Sequence, residues 1–216
     1  QGVDANTLRT VVDADQAAVT LAVSRYLKHF GECQQKHIWD QFTPYDLNDR
    51  TAGVVGLGGI GRRYAKIASA FGMRVIAVDK HVQEKPAEVD ELWTLEGLND
   101  LCAEADVVMI ACPATAETQG LIGAEQLALM KPTGIIINIA RGGIIDEPAL
   151  IECLNAGRIA GAGLDVTRIE PLPDDDPLWD TPRLVITPHI AGWSSDRSQS
   201  VVRFFCDNLR RYKAGE

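Results

Sequence analysis

The chain has 216 residues, 46% of them hydrophobic, and its 30 acidic against 21 basic side chains leave a formal net charge of −9. That is enough apolar material for one sizeable core, and an acidic surface repels phosphate backbones, which argues against nucleic acid as a partner. No apolar run reaches the roughly 18 residues that cross a bilayer, and "QGVDANTLRT" has neither the basic start nor the apolar stretch of a signal peptide.

Taken in chain order, residues 11–30 place Ala14, Ala17, Ala18, Leu21, Ala22, Tyr26 and Leu27 at helical spacing. This predicts one helix, capped by Asp13 or Asp15. Residues 31–50 are polar, contain Pro44 and read as a connector. From residue 51 the rhythm changes. Short apolar runs at 51–58, 73–79, 106–112, 134–140, 159–166 and 184–189 predict strands. Between them, 59–72, 94–105, 123–130 and 147–157 predict helices, and 195–212 a closing helix. Gly72 suits a left-handed cap, and Pro148 falls in a first turn, where its missing N–H costs little. Strands this continuously apolar are covered on both faces, so the fold class is α/β with a doubly wound parallel sheet.

The cysteines (Cys33, Cys102, Cys112, Cys153, Cys206) are odd in number, scattered and without a CxxC pair. They read as reduced thiols of a cytoplasmic protein rather than as a disulfide framework or zinc site. The run Asp174, Asp175, Asp176 reads as a solvated loop, and no metal site is expected. His29, His37 and His81 fall on the first helix, the connector and a polar loop, and none is given a catalytic role.

Two features carry chemistry. The first is Gly56-x-Gly58-x-x-Gly61, placed between a predicted strand and a predicted helix. Gly56 permits a tight turn, Gly58 lets backbone approach a pyrophosphate, and Gly61 lets helix and strand pack closely. The helix N-terminus offers N–H groups and a positive dipole end to the anion. Asp79, ending the second strand, is placed to accept the ribose hydroxyls of NAD and to repel the extra phosphate of NADP, although Lys80 stands next to it. The second feature is a set of groups just after predicted strands: Arg141 in "NIARGG", Asp165 and Glu170 in "LDVTRIEPLP", and His189 in "ITPHIAG". Ligands of such sheets sit beyond the carboxyl ends of the strands.

With these stretches the chain resembles the D-isomer-specific 2-hydroxyacid dehydrogenases. "GLGGIG…VD", "CPATAET", "INIARGGIIDEPAL", "AGAGLDVTRIEPLP" and "ITPHIAG" follow one another in the family's order, and the likeness covers roughly residues 8–216. The resemblance implies a Rossmann-type NAD-binding domain and hydride transfer between NAD and a small 2-keto or 2-hydroxy acid. It implies that Arg141 binds the substrate carboxylate, that His189 is the acid/base, and that Glu170 pairs with it. It places Asp165 near the nicotinamide. It sets Gly59, Ile60, Cys112, Pro113, Thr118, Ile139, Ala140, Ala191 and Gly192 along the cofactor, with Gly59 standing where many relatives carry a longer side chain. General chemistry agrees, since histidine titrates near physiological pH, a carboxylate beside it favours imidazolium, and a guanidinium fork matches a carboxylate.

The family is built from two domains, and the likeness divides this chain accordingly. Residues 1–50 resemble a remnant of the substrate domain with a hinge helix, 51–194 the NAD-binding domain, and 195–216 a helix leading back to the substrate domain. The expected function is NADH-preferring reduction of a 2-keto acid such as glyoxylate, hydroxypyruvate or pyruvate, with phosphoglycerate and phosphite open. A homodimer is implied. Two alternatives stand beside it: an NAD-sensing, corepressor-like scaffold of the same family, and an inert isolated cofactor domain. Turnover with a 2-keto acid separates the first reading from both.

Overall fold

Seven short runs of apolar and β-branched residues pair, all in parallel, into one sheet. The computed structural model describes residues 16–81, 84–193 and 197–215. The strands are β1 (Thr51–Val55), β2 (Arg74–Val78), β3 (Glu91–Trp93), β4 (Val107–Ile110), β5 (Ile135–Asn138), β6 (Gly161–Leu164) and β7 (Leu184–Ile186). Their order is β3-β2-β1-β4-β5-β6-β7, and every neighbouring pair is parallel. The chain steps outward one way from β1 to β3 and the other way from β4 to β7. The switch between β1 and β4 is where a doubly wound sheet opens a crevice for a ligand. The fold is Rossmann-type.

The register makes that crevice continuous. Val55 lies beside Val78 and Ile110, Ile110 beside Asn138, Asn138 beside Leu164, and Leu164 beside Ile186. Trp93 lies beside Val78 in turn, so all seven strands end level, and the loops after them leave from one rim.

Helices cover both faces. On one side α4 (Leu98–Glu104), α5 (Ala124–Leu129) and α6 (Glu147–Asn155) press Leu101, Leu127, Leu150 and Leu154 onto Ile76, Ile110 and Ile136. On the other, α1 (residues 16–24) and α3 (Gly59–Ala70) press Val19, Val23, Tyr64 and Ala68 onto Val54, Val75, Met109 and Ile137. Every residue of β4, β5 and β6 is buried, and each large aliphatic side chain so covered contributes about 1.5–3 kcal/mol of transfer free energy. Strand β6 is made of small residues for a reason. A Cβ on Gly163 would lie 2.4 Å from Val19, and one on Gly161 2.9 Å from Val23, so α1 seats directly on the strand.

The structure departs from the sequence reading in three places. The single helix expected over 11–30 is two. It breaks at Tyr26, whose φ is 56°, and resumes as α2 (Leu27–Gln35). Helix α1 follows the sheet face and buries Gln16, Val19, Thr20, Val23 and Ser24, whereas α2 leads away and buries only Cys33. The Tyr26 ring meets Phe42 edge-on at 5.1 Å, a contact from beyond the helix that favours the break. The expected caps Asp13 and Asp15 lie outside the described residues. Second, β3 and the 3-10 turn Gly142–Ile144 were not expected. Third, the helix expected over 94–105 begins with a 3-10 turn, Leu95–Gly97, before α4. Helix α7 (Arg197–Ala214) closes the chain. Among the described residues no helix is long and apolar enough to cross a membrane.

Candidate functional site

The glycine loop between β1 and α3 has the geometry its sequence implies. Gly56 has φ 95°, and a Cβ there would sit 2.7 Å from the Cys112 backbone. A Cβ on Gly61 would lie 1.9 Å from the Gly56 carbonyl, so only glycine lets α3 press this closely on the strand. A Cβ on Gly58 or Gly59 would meet nothing within 4 Å, and no side chain caps α3. The loop thus presents bare backbone N–H groups and the positive end of α3 to open space, the donor set that a dinucleotide pyrophosphate needs. Asp79 reaches this loop from the end of β2. Its Oδ2 accepts the Leu57 N–H at 2.6 Å and its Oδ1 the His81 N–H at 2.7 Å. A carboxylate has about four lone-pair sites, so acceptor capacity is left for a ribose. Lys80 pairs with Glu117 at 2.6 Å. The residues present fit a dinucleotide.

A cleft of about 390 Å³ runs from this loop across the switch point. It brings together Gly59, Ile60, Cys112, Pro113, Ile139, Ala140 and Arg141, with Ala111 and Ala114 between them. Burial pushes the Cys112 thiol up to about 11, which disfavours its reactive thiolate form. Thr118 is buried and its hydroxyl is spent inside its own loop, donating to the Pro113 carbonyl at 2.7 Å and accepting from the Thr115 N–H. The first of these bonds holds Pro113, one residue of the cleft wall. Arg141 is exposed and folds its Nη1 onto the Ala140 carbonyl at 2.6 Å.

His189 and Glu170 stand together on the same rim, although they are not among the residues lining the cleft. His189 Nδ1 and Glu170 Oε2 are 2.6 Å apart. Glu170 Oε1 also accepts the Thr167 N–H at 3.1 Å. Partial burial opposes ionisation of Glu170. The hydrogen bonds from His189 and Thr167, with the charge of Arg141, outweigh it and hold the carboxyl below the usual range. His189 has φ 54°, and the turn that forces this backbone is organised by Asp165. Asp165 is 2% exposed. Its Oδ1 accepts the Thr187 hydroxyl at 2.6 Å and the Ile190 N–H at 3.0 Å, its Oδ2 the Ala191 N–H at 2.9 Å, and its carbonyl the His189 N–H at 2.8 Å. Asp165 therefore holds the histidine turn, with Ala191 buried beneath it and Gly192 exposed beyond.

Sequence reasoning missed three supporting residues. Asn138 is fully buried at the end of β5, donates to the Arg141 carbonyl at 2.9 Å and accepts the Ala140 N–H at 3.0 Å, which sets the arginine loop. Glu147, at the start of α6, is nearly buried and accepts the Arg168 N–H, tying down the loop that carries Glu170. Burial pushes its carboxyl up. Thr187 donates to Asp165. Only the position of Asn138 at a strand end offered a signal. The two flanking loops also interlock, since a Cβ on Gly142 would overlap the Thr167 carbonyl carbon at 2.0 Å.

Comparison with known proteins identifies the family. The model of the D-isomer specific 2-hydroxyacid dehydrogenase NAD-binding domain matches residues 17–191. The chain belongs to this family. A glyoxylate reductase of Korarchaeum cryptofilum is 38% identical over 210 residues, which are 96% of this chain and 59% of that protein. A D-3-phosphoglycerate dehydrogenase of Methanocaldococcus jannaschii is 36% identical over 198 residues, 91% of this chain and 38% of that protein. The chain thus spans between about two fifths and three fifths of these 2-hydroxyacid dehydrogenases. The structure of a D-isomer specific 2-hydroxyacid dehydrogenase from Xanthobacter autotrophicus Py2, in complex with NADPH and MES, superposes with a TM-score of 0.85 at 32% identity, covering 100% of this chain and 88% of that one.

Proposed function

We propose that this chain is the cofactor-binding part of an NAD-dependent oxidoreductase that interconverts a small 2-keto acid and its D-2-hydroxy acid. In this reading residues 51–194 bind the dinucleotide, and residues 1–50 and 195–216 lead to a substrate domain. The observation that carries it is the 2.6 Å pair of His189 Nδ1 with Glu170 Oε2 on the rim of the sheet, at the level of Arg141 and the cleft.

A bound nicotinamide supplies the hydride for the keto carbon and takes it back in the reverse direction. The chain's own residues manage the proton and the charge. Glu170 stays ionised and holds Nδ1, so Nε2 is left to donate its proton to the keto oxygen or to receive one from the hydroxyl. The Arg141 guanidinium pairs with the substrate carboxylate and fixes the acid end on. Asp79 favours NADH by accepting ribose hydroxyls and repelling a 2′-phosphate. Solved relatives carry NADPH, which makes that preference a point for measurement. The proposal includes a homodimer in the cytoplasm, acting on small 2-keto acids.

The test is NADH consumption with glyoxylate, hydroxypyruvate and pyruvate. One of them should be reduced, and His189→Gln should lower kcat at least ~10²-fold while NADH affinity stays within about threefold. Equal losses of kcat and of NADH affinity in that variant would defeat the acid/base role. NADH binding without turnover of any 2-keto acid would favour the scaffold or isolated-domain reading.

A further inference from the structure

Away from the sheet rim, α2 and the segment after it assemble a second group of chemically able side chains. His29 and Cys33 are four residues apart on α2 and so share one helix face. The chain then reverses. His37 takes φ 54°, and the Ile38 N–H donates to the Cys33 carbonyl at 2.9 Å, which folds residues 38–42 back along the helix. Phe42 stacks on Phe30 at 5.2 Å, and both rings lie within 5.6 Å of the His29 ring. This brings Asp40 Oδ2 to 2.7 Å from His29 Nε2, with Cys33 Sγ 3.4 Å from the same nitrogen. All three ligand atoms lie within 4.8 Å of one another.

The geometry points to a binding site for zinc or a similar divalent transition ion, with His29 Nε2, Cys33 Sγ and Asp40 Oδ2 as ligands. Three bonds of about 2.0–2.3 Å in a tetrahedron set ligand atoms roughly 3.4–3.6 Å apart. The Cys33–His29 pair already has that spacing. The exposed Asp40 carboxylate would back off His29 Nε2 by less than an ångström while settling at the same spacing from Cys33 Sγ, which already lies within 4.8 Å of it. A single Nε2 proton cannot serve a carboxylate and a thiol well at once. A divalent ion taking its place, with the Cys33 thiol giving up its proton on ligation, serves all three. Imidazole with thiolate selects zinc-type ions over calcium or magnesium. Cys33 and Asp40 both line a cleft of about 490 Å³, which gives an ion its way in and leaves room for water as a fourth ligand. A bound ion would fasten residues 36–42 to α2. This site is separate from the dinucleotide rim and does not rest on the function proposed above.

The experiment uses reduced, tag-free protein and Co²⁺ as the probe. One equivalent should raise a thiolate-to-cobalt charge-transfer band, and Zn²⁺ should bleach it by displacement. Cys33→Ser should abolish the band. Asp40→Asn and His29→Gln should each weaken Zn²⁺ at least tenfold while circular dichroism is unchanged. Asp40 is exposed, so its variant tests the site even if Cys33→Ser fails to fold. Absence of the band, its persistence in Cys33→Ser, or wild-type Zn²⁺ affinity in either other variant overturns the assignment.

Discussion

At the scale of single residues, the rim is an arrangement of carboxylates with different duties. Glu170 is partly exposed and ionised, and its contact with His189 is direct. Asp165 is buried and accepts from the Thr187 hydroxyl and from the backbone N–H groups of Ile190 and Ala191. The first bonds the histidine ring, and the second fixes the turn that carries it. Glu170→Gln keeps the shape but removes the charge that faces the His189 ring. On the proposed mechanism it should lower kcat about 10²-fold with NADH affinity unchanged. An unchanged kcat would mean that the charge of Glu170 is not used in turnover. These duties were partly legible. His189, Glu170 and Arg141 stand in short, recognisable stretches after apolar runs. The clamp by Asp165 was not, because a carboxylate's partners here are backbone N–H groups 25 and 26 residues away.

At the scale of elements, the apolar strands announced themselves and the exceptions have physical causes. Strands β4, β5 and β6 are buried along their whole length, so their runs carry no polar interruption. Strand β3 is three residues long, half exposed and at the sheet edge, too short for any periodicity to register. Tyr26, at the break, packs on Phe42, which a helical window over 11–30 does not contain. The opposite rim holds a tie that sequence reading passed over. Asp106, 4% exposed just before β4, accepts from the Thr51 N–H at 2.9 Å, Tyr45 at 3.1 Å and Lys131 at 3.0 Å. Burial opposes its charge, but these donors hold its carboxyl below the ordinary 3.8. A depressed folded value means stability that is present above the unfolded value and lost as pH falls through the folded one. Asp106→Asn should therefore cost about 2 kcal/mol at pH 7, and the difference from wild type should shrink below about pH 4. Denaturant melts at several pH values check this. NADH affinity should not move, since Asp106 lies at the far end of the strands.

At the scale of the whole molecule, two features set expectations for the chain as a unit. Coenzyme choice is one. Asp79→Ser removes the carboxylate that accepts the Leu57 N–H of the glycine loop, and on the proposed function the ratio of NADH to NADPH catalytic efficiency should fall at least tenfold. A ratio unaltered by the substitution would place discrimination elsewhere. Helix α7 is the other. Val201, Val202, Phe204, Phe205, Leu209 and Tyr212 are all exposed along it, so it contributes little to the core. Ending the chain after Trp193 should shift the melting midpoint by less than about 4 °C, or roughly 1 kcal/mol. A larger loss would mean that α7 is held by contacts its exposure does not reveal.

The contact between Gly142 and Thr167 has a consequence for how this rim can vary. A Cβ at position 142 has no room beside the Thr167 backbone. One loop carries Arg141 and the other ends at Glu170, so neither can be displaced alone. Substitutions in the two loops should behave epistatically, with a change at 142 tolerated only where the 167 loop has already moved. The arginine and the glutamate are thus carried as one piece, and laboratory evolution that reshapes this rim would have to alter both loops in the same lineage.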